Sequence, residues 1–349
     1  MSPTSYPCSI PQYFNVNNCY FRYQLLLSAS KKIKSFFIAV QRYNSFLCKQ
    51  IKKIIISETI HKSGFVSIVG CPNVGKSTLL NALVGERLSI ITSKAQTTRH
   101  RIMGIVSGDD YQIVFSDTPG ILKPNYKLQE KMMEFVISAF SDADVFLLIV
   151  DIYDDIVLEE EYLKKLQNST TPVLILLNKI DMATEVKLFE KLAEWQGKFP
   201  KAEVIPISAL KKFNLENVMY RITQLLPAGE AFYDKDTLTD KPERFFMSEI
   251  IREKMLMRYK AEIPYSVEVI VNSFKEEETI IRIQADIIAE RESQKAIIIG
   301  HQGANLKKVG TLARIEAETF FGKKIFLELF VKVTKDWRNN DMNLKHFGY

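Results

Sequence analysis

Residues 70–77 constrain the fold of this chain more than any other stretch. They are Gly-Cys-Pro-Asn-Val-Gly-Lys-Ser and have the spacing G-x-x-x-x-G-K-S. An apolar run at 65–69 precedes them and a helix-like run at 78–83 follows. Strand, glycine-bounded loop and helix form the context that a phosphate-binding loop requires. The glycines let backbone N–H groups turn toward phosphate oxygens, at the positive end of the helix dipole. The motif therefore predicts a nucleotide site.

Two side chains of this loop have distinct expected roles. Lys76 would reach the β- and γ-phosphates, and the Ser77 hydroxyl would be a ligand of Mg²⁺. A chance match in a chain this long has a probability on the order of one per cent. We expect the bound nucleotide to contact Gly70, Asn73, Val74, Gly75, Lys76, Ser77 and Thr78.

A second strand-like run, 111–116, leads into Asp117-Thr118-Pro119-Gly120. A carboxylate at the carboxyl end of a buried strand lies where open α/β sheets bind ligands, and Asp117 is expected to position Mg²⁺ through a water molecule. Gly120 can turn its amide toward a γ-phosphate because no side chain blocks the approach. We therefore add Asp117, Thr118, Pro119 and Gly120 to the predicted nucleotide site.

The rest of the first half alternates between apolar strand-like runs and helical patterns. This order predicts an α/β domain with a mostly parallel sheet and helices on both faces. The predicted strands are 101–106, 111–116, 145–150, 173–177 and 204–207, and the predicted helices are 128–140, 158–167, 187–198 and 215–226.

Two loops at strand ends predict which base the site binds. The first contains Asn178, Lys179 and Asp181, and the second contains Ser208 and Ala209. One carboxylate that accepts from both N1–H and the exocyclic amine selects guanine, because adenine has an acceptor at N1 and no 2-amino group. Buried polar groups left unpaired by the wrong ligand can discriminate by factors of about 10⁴ or more. These loops favour GTP and GDP as ligands.

The net charge of +6 does not indicate a basic protein body. Residues 1–57 contain eight of the 47 Lys and Arg and none of the 41 Asp and Glu, so the remainder has a net charge of −2. Three interpretations of residues 1–60 stay open: a transit peptide, a basic membrane-surface segment, or an over-long start assignment that leaves a disordered extension. We expect the folded protein to begin near His61. The four cysteines form no C-x-x-C pair, which favours an intracellular protein without a disulfide framework.

The order of elements changes after residue 227. A polar linker is predicted at 228–243, followed by a helix at 244–257, strands at 266–272 and 279–289, a helix at 294–299, a turn, a helix at 304–320 and a strand at 325–333. The turn is Gly300-His301-Gln302-Gly303, and Lys307 and Lys308 follow it. Helix, two strands, helix, G-x-x-G, helix and strand is the order of an α+β KH domain of the bacterial type, which binds about four nucleotides of single-stranded RNA. Residues 295–338 contain nine Lys and Arg against four Asp and Glu, which supports this prediction.

These motifs together resemble the Era-type GTPases, which are translation-factor-related GTPases with an attached KH domain. The likeness covers about residues 63–349, and Gln96-Thr97-Thr98-Arg99-His100 is its most distinctive stretch. It implies that Thr98 is a Mg²⁺ ligand in the GTP state and that Asn73 is a candidate ligand of K⁺. It also implies that the RNA is the 3′ end of small-subunit ribosomal RNA, bound near Gly300, His301, Gln302, Gly303, Lys307 and Lys308.

The expected function is a GTP-hydrolysing switch that binds ribosomal RNA and assists assembly of the small ribosomal subunit. Ile121 follows Gly120, and an apolar side chain cannot orient water, so we expect slow intrinsic hydrolysis. Two alternatives are a membrane-associated signalling GTPase and an assembly scaffold with low turnover. We expect a cytoplasmic monomer, with peripheral contact with the inner face of the cell membrane under the first alternative. The predicted domains are a GTPase domain at 61–227 and a KH domain with its tail at 244–349.

Overall fold

The computed structural model describes residues 60–153 and 159–349. The predicted extension at 1–60, except for Ile60, and the predicted helix start at Leu158 lie outside the described residues. Among the described residues, no helix has the length and apolar character that crossing a bilayer requires.

The first domain is built on a six-stranded sheet in the order β2-β3-β1-β4-β5-β6. All neighbouring strands are parallel except β2 and β3, which are antiparallel. The prediction of a mostly parallel sheet is confirmed. The strands are β1 Lys62–Val69, β2 Ile102–Ser107, β3 Tyr111–Asp117, β4 Val145–Asp151, β5 Val173–Asn178 and β6 Glu203–Pro206.

In the described part of the chain, four helices connect these strands and a fifth follows β6, and their apolar faces pack on the sheet. They are α1 Lys76–Val84, α2 Lys127–Asp142, α3 Glu160–Gln167, α4 Glu185–Lys198 and α5 Leu215–Leu225. The central strand β4 is buried along its whole length, because helices cover the sheet. The parallel order brings the carboxyl ends of β1, β3, β4 and β5 to one edge, where the predicted nucleotide loops follow the strands.

The second domain has a three-stranded sheet in the order β7-β8-β9, with β7 and β8 antiparallel and β8 and β9 parallel. Its elements are α6 Glu243–Arg258, β7 Glu268–Glu276, β8 Ile280–Ala289, α7 Glu292–Ile299, α8 Ala304–Phe321 and β9 Lys324–Val333. Helices α6, α7 and α8 pack against this sheet around a core that includes Ile251, Ile283 and Ala313. The predicted order of elements is therefore present, with ends shifted by a few residues.

The stretch predicted as a linker lies against the first domain. Gln112 donates from its side chain to the Tyr233 carbonyl at 2.8 Å and accepts from the Phe232 and Tyr233 amides at 2.7 and 2.9 Å. The Phe232 ring lies 4.9 Å from that of Phe65. Beyond β9, a short helix α9 at Asp341–His346 and the buried side chains of Trp337 and Leu344 extend the core of the first domain.

Candidate functional site

The loop between β1 and α1 has the backbone that a phosphate-binding loop needs. Gly75 has φ 106°, and a Cβ there would lie 2.3 Å from Asn178 Nδ2; at Gly70 (φ 154°) a Cβ would lie 2.5 Å from the Ile149 carbonyl oxygen. A side chain therefore fits at neither position. Lys76 Nζ donates to the carbonyls of Gly70 at 3.2 Å and Cys71 at 2.7 Å. Burial lowers the pKa of Lys76 to about 8, although Asp117 opposes this effect.

Four polar side chains from three segments meet beside this loop. Ser77 Oγ donates to Asp117 Oδ2 at 2.7 Å and lies 2.8 Å from Thr98 Oγ1. Ser89 Oγ donates to the same carboxylate oxygen at 2.9 Å, and Thr98 Oγ1 lies 3.4 Å from it. The tertiary structure thus brings together the three residues predicted to hold Mg²⁺. Ser89 was not predicted, because a lone serine has no sequence signal for this contact.

The donor set fits a magnesium ion. Among the described residues, Asp117 Oδ1 is a buried oxygen without a hydrogen-bond partner. Burial raises the pKa of Asp117, against the effects of Lys76 and three neighbouring hydroxyls, so the carboxylate lies where a bound cation would stabilise its charge. Hydroxyl and carboxylate oxygens are ligands that Mg²⁺ prefers, together with phosphates and water.

The loop after β3 lies close to the phosphate-binding loop. A Cβ on Gly120 would lie 2.7 Å from the Pro72 backbone, so only glycine permits this approach. Thr118 Oγ1 donates to the Ile68 carbonyl at 2.9 Å, and Pro119 is buried. The Ile121 amide donates to the Gly70 carbonyl at 3.1 Å while its side chain is buried. The loop therefore rests on β1 and the phosphate-binding loop.

The two predicted base-binding loops also meet in the structure. Asn178 Nδ2 donates to the Val74 carbonyl at 2.8 Å, and Asn178 Oδ1 accepts from the Ala209 amide at 2.9 Å. Ser208 Oγ donates to Asp181 Oδ1 at 2.6 Å, which orients that carboxylate. Lys179 Nζ forms an ion pair with Asp151 Oδ2 at 2.6 Å. The role of Asp151 was not predicted, although its position at the carboxyl end of β4 could have indicated that it lies at the site.

A cleft of about 480 Å³ runs between the phosphate-binding loop and the segment that carries Thr98. Asn73 Nδ2 donates to the Ser93 carbonyl at 3.0 Å, so the side chain contacts this segment. Ile90, Ile91, Thr92, Gln96 and Thr97 line the cleft together with Asn73, Gly75, Lys76, Ser77, Thr78, Thr98 and Gly120. The cleft therefore joins the predicted phosphate ligands to the predicted magnesium ligands.

The G-x-x-G turn connects α7 to α8. Gly300 and Gly303 have φ values of 70° and 77°, and Gln302 has φ 50°, so the turn uses positive φ angles that glycine adopts most readily. His301, Gln302, Lys307 and Lys308 are exposed. A groove of about 720 Å³ lies between α8 and β9, lined by Gly303, Leu306, Lys307, Gly310, Thr311, Arg314, Leu327 and Leu329. Among the predicted residues, Gly303 and Lys307 line this groove, whereas Lys308 and His301 lie outside its lining.

Comparison with known proteins agrees with both halves of this description. Residues 65–179 match the family described as 50S ribosome-binding GTPase, and residues 262–338 match the KH domain family. The GTPase Era of Staphylococcus epidermidis is 43% identical over 293 residues, which are 83% of this chain and 98% of that protein. The chain belongs to the Era GTPase family. It is accordingly a P-loop GTPase with a C-terminal KH domain, as its motifs predicted.

Solved Era structures have the same architecture. Era in complex with MgGDPNP and nucleotides 1506–1542 of 16S ribosomal RNA has a TM-score of 0.78 and 40% identity, covering 83% of this chain and 99% of that one. A single-residue variant of Aquifex aeolicus Era bound to GDP·AlF4⁻ also has a TM-score of 0.78 and 40% identity, covering 82% and 99%. The likeness thus spans both domains of the Era fold.

Proposed function

We propose that this GTPase is a GTP-dependent switch that binds the 3′ end of small-subunit ribosomal RNA through its KH domain and assists assembly of the small ribosomal subunit. The observation that carries the proposal is the likeness across both domains to an Era protein in complex with MgGDPNP and a 16S ribosomal RNA segment. In this chain a cleft lies beside the phosphate-binding loop of the first domain, and a groove lies beside the G-x-x-G turn of the second.

The nucleotide side of the proposal rests on the geometry around the phosphate-binding loop. Ser77 and Thr98 would hold Mg²⁺ directly, and Asp117 would hold it through a water molecule. The ion would supply positive charge to the phosphates where negative charge develops during hydrolysis. Asp181, oriented by Ser208, would read the guanine edge, while the Lys179 stem would lie along the base. The other predicted contacts are Gly70, Asn73, Val74, Gly75, Lys76, Thr78, Thr118, Pro119, Gly120, Asn178, Ser208 and Ala209.

The RNA side of the proposal rests on the groove between α8 and β9. Glycines at both ends of the turn allow a nucleic-acid backbone to approach closely, and apolar Leu327 and Leu329 offer surfaces for bases. Lys307 and Arg314 line the same groove and would contact phosphates. Gly300, His301, Gln302, Gly303 and Lys308 would contribute from the turn and the exposed side of α8.

Helix α6 connects the two sites and supports a switch. Arg252 of this helix contacts the segment that carries Thr98, through a 3.4 Å hydrogen bond to the Gln96 carbonyl and another to that of Thr97. At the end of the same helix, Arg258 donates to Asn305 Oδ1 at 2.7 Å, two residues after Gly303. Ordering of the Thr98 segment by GTP would therefore change the contacts of helix α6, which borders the G-x-x-G turn.

The test compares RNA affinity in two nucleotide states. Fluorescence anisotropy measures binding of a labelled RNA, with the sequence of the small-subunit 3′ end, to protein loaded with Mg²⁺ and GDPNP or with GDP. We expect tighter binding with GDPNP and a loss of the difference in Thr98→Ala. Equal affinity in the two states of the wild-type protein would overturn the switch.

Hydrolysis is proposed to be slow and to depend on potassium. The buried Ile121 side chain cannot orient water, and Asn73 would hold K⁺ beside the phosphates, where added positive charge stabilises the transition state. Turnover measured in KCl, in NaCl, and with RNA separates this enzyme from the low-turnover scaffold. We expect faster turnover in KCl, and a loss of that acceleration in Asn73→Ala. Equal turnover in all three conditions would favour the scaffold.

We further propose a cytoplasmic monomer. The alternative, a membrane-associated signalling GTPase, depends on the basic residues of 1–57, which lie outside the described part of the chain. Sedimentation of the full chain and of a chain that begins at His61 with anionic vesicles distinguishes the two. Binding by the full chain alone would support peripheral membrane contact.

A further inference from the structure

The second domain holds the segment that carries Thr98 through hydrogen bonds on both sides of Thr98 in the sequence. Arg252 makes a bidentate ion pair with Glu249, at 2.7 and 2.6 Å, and is almost completely buried. Its guanidinium also donates to the carbonyls of Gln96 and Thr97, immediately before Thr98. The ion pair fixes the guanidinium, so the position of these two carbonyls depends on α6.

Arg99, immediately after Thr98, is fully buried in the second domain. Its Nη1 donates to Glu268 Oε2 at 2.9 Å and to the Val267 carbonyl at 2.8 Å. Nη2 lies 3.3 and 3.4 Å from the carbonyls of Pro264 and Tyr265. A buried guanidinium with one carboxylate and three carbonyl acceptors has little freedom to move.

Tyr349 completes this attachment. Its hydroxyl donates to Glu268 Oε2 at 2.7 Å, the oxygen that also accepts from Arg99. Its ring stacks on that of His100, with centroids 4.3 Å apart and planes inclined by 19°. Burial and the Glu268 carboxylate raise the pKa of Tyr349, which keeps the phenol protonated as a donor. Tyr349 therefore contacts both His100 and the carboxylate that holds Arg99.

We propose that Tyr349, Glu268 and Arg252 are positioning residues for GTP hydrolysis, which act from the KH domain by holding Thr98 at the magnesium site. In sequence, Thr98 lies between the carbonyls that Arg252 contacts and the buried Arg99, and its hydroxyl lies 2.8 Å from Ser77 Oγ. The inference rests on the proposed role of Thr98 as a Mg²⁺ ligand. It assigns to the tail after β9 a part in the GTPase site that no motif marks.

The experiment uses the full chain and the variant Tyr349→Phe, which keeps the ring and removes only the hydroxyl. Tyr259→Phe is the matched control, because it removes a phenol hydrogen bond of similar length, 2.8 Å to the Ile298 carbonyl, from the same domain. Affinities for GDP and for GDPNP with Mg²⁺ are measured by fluorescence titration. The kcat and KM of GTP hydrolysis are measured separately.

We expect Tyr349→Phe to weaken GDPNP binding about tenfold relative to GDP and to lower kcat by a similar factor, since one hydrogen bond to a carboxylate is lost. Binding of GDP should be unchanged, because the base and the β-phosphate do not involve Thr98. Unchanged GDP affinity also verifies that the variant is folded. Tyr259→Phe should change neither the affinity for GDPNP relative to GDP nor kcat.

A second measurement tests whether Tyr349 acts through Thr98. In the Thr98→Ala background, Tyr349→Phe should produce no further loss of GDPNP affinity, because the group that it positions is absent. If Thr98→Ala alone leaves GDPNP affinity unchanged, the proposed magnesium role of Thr98 is wrong. If Thr98→Ala weakens GDPNP binding but Tyr349→Phe does not, or if the two losses are additive, the positioning role alone is wrong.

Discussion

The amide nitrogen of Asn178 donates to the carbonyl of Val74 at 2.8 Å and joins the base-binding loop to the phosphate-binding loop. The oxygen of the same amide accepts from the Ala209 backbone. One buried side chain thus sets the distance between three loops that hold different parts of the nucleotide. The sequence predicted Asn178 as part of a base-binding loop. In the structure, two of its polar contacts are to neighbouring loops.

Asn178→Ala should weaken GTP and GDP equally. The substitution leaves the Val74 carbonyl and the Ala209 amide without this partner, and an unsatisfied buried polar group costs about 1–3 kcal/mol. We expect a loss of affinity of about 10- to 100-fold for both nucleotides in fluorescence titrations. Asn168→Ala, at an exposed position in the same domain, is the control. A loss of affinity confined to one nucleotide would contradict the proposal that Asn178 joins the base-binding and phosphate-binding loops.

Asp181→Asn should change the base preference from guanine to xanthine. The variant side chain can donate to the 2-oxygen of xanthine, whereas the guanine amine loses its acceptor. We expect competition titrations to show weaker GTP binding and stronger binding of xanthosine triphosphate, with a combined change in the affinity ratio of about 10⁴. Asp181→Ala, which can pair with neither base, should weaken GTP without strengthening the analogue. An unchanged ratio in Asp181→Asn would exclude Asp181 from base recognition.

Removal of Mg²⁺ should weaken GTP binding more than GDP binding. The γ-phosphate adds negative charge beside Asp117, and the ion with its Ser77 and Thr98 ligands offsets that charge. Affinities for GDPNP and for GDP are measured in Mg²⁺ and in EDTA at constant ionic strength. Removal of Mg²⁺ should reduce the affinity for GDPNP by a factor about ten times, or more, the factor for GDP. In Thr98→Ala this difference should shrink. Equal losses for the two nucleotides would argue against a metal ligand specific to the GTP state.

Lys307 should contribute more to RNA affinity than Lys308, although both are exposed and adjacent in sequence. Lys307 lines the groove between α8 and β9, and Lys308 does not. Lys307→Ala should lower the affinity for single-stranded RNA and reduce the slope of log K against log salt concentration by about 0.7, as expected for one lost phosphate contact. Lys308→Ala should have a smaller effect, and Lys201→Ala in the first domain should have none. Equal effects of the two lysine variants would place the RNA across the turn and outside the groove.

The fold was predictable in its main features because its signals are local. Near-continuous apolar strands alternating with amphipathic helices specify a covered parallel sheet, and glycines at fixed spacing specify two backbone turns. Gly75 and Gly300 illustrate this, since each adopts a positive φ that the motif requires. The antiparallel pairing of β2 with β3 was not predicted, although the three residues between them, 108–110, are too few for the crossover that a parallel pair requires.

Contacts between distant segments explain what the sequence did not reveal. Ser89 and Asp151 are ordinary residues in the chain, and only the folded structure places them against Asp117 and Lys179. Arg99 belonged to a distinctive stretch, yet its acceptors lie more than 160 positions away.

That a nucleotide binds, that the base is guanine and that a KH fold follows could all be predicted without the structure, because these features depend on residue types at short, fixed spacings. The way in which the Thr98 segment is held between two domains became visible only in the folded chain. That arrangement depends on burial of Arg99, Arg252 and Glu268 where α6, β7 and the Tyr349 tail meet. Such burial is stable only when the charges are paired, and no local pattern specifies pairs so far apart in the chain.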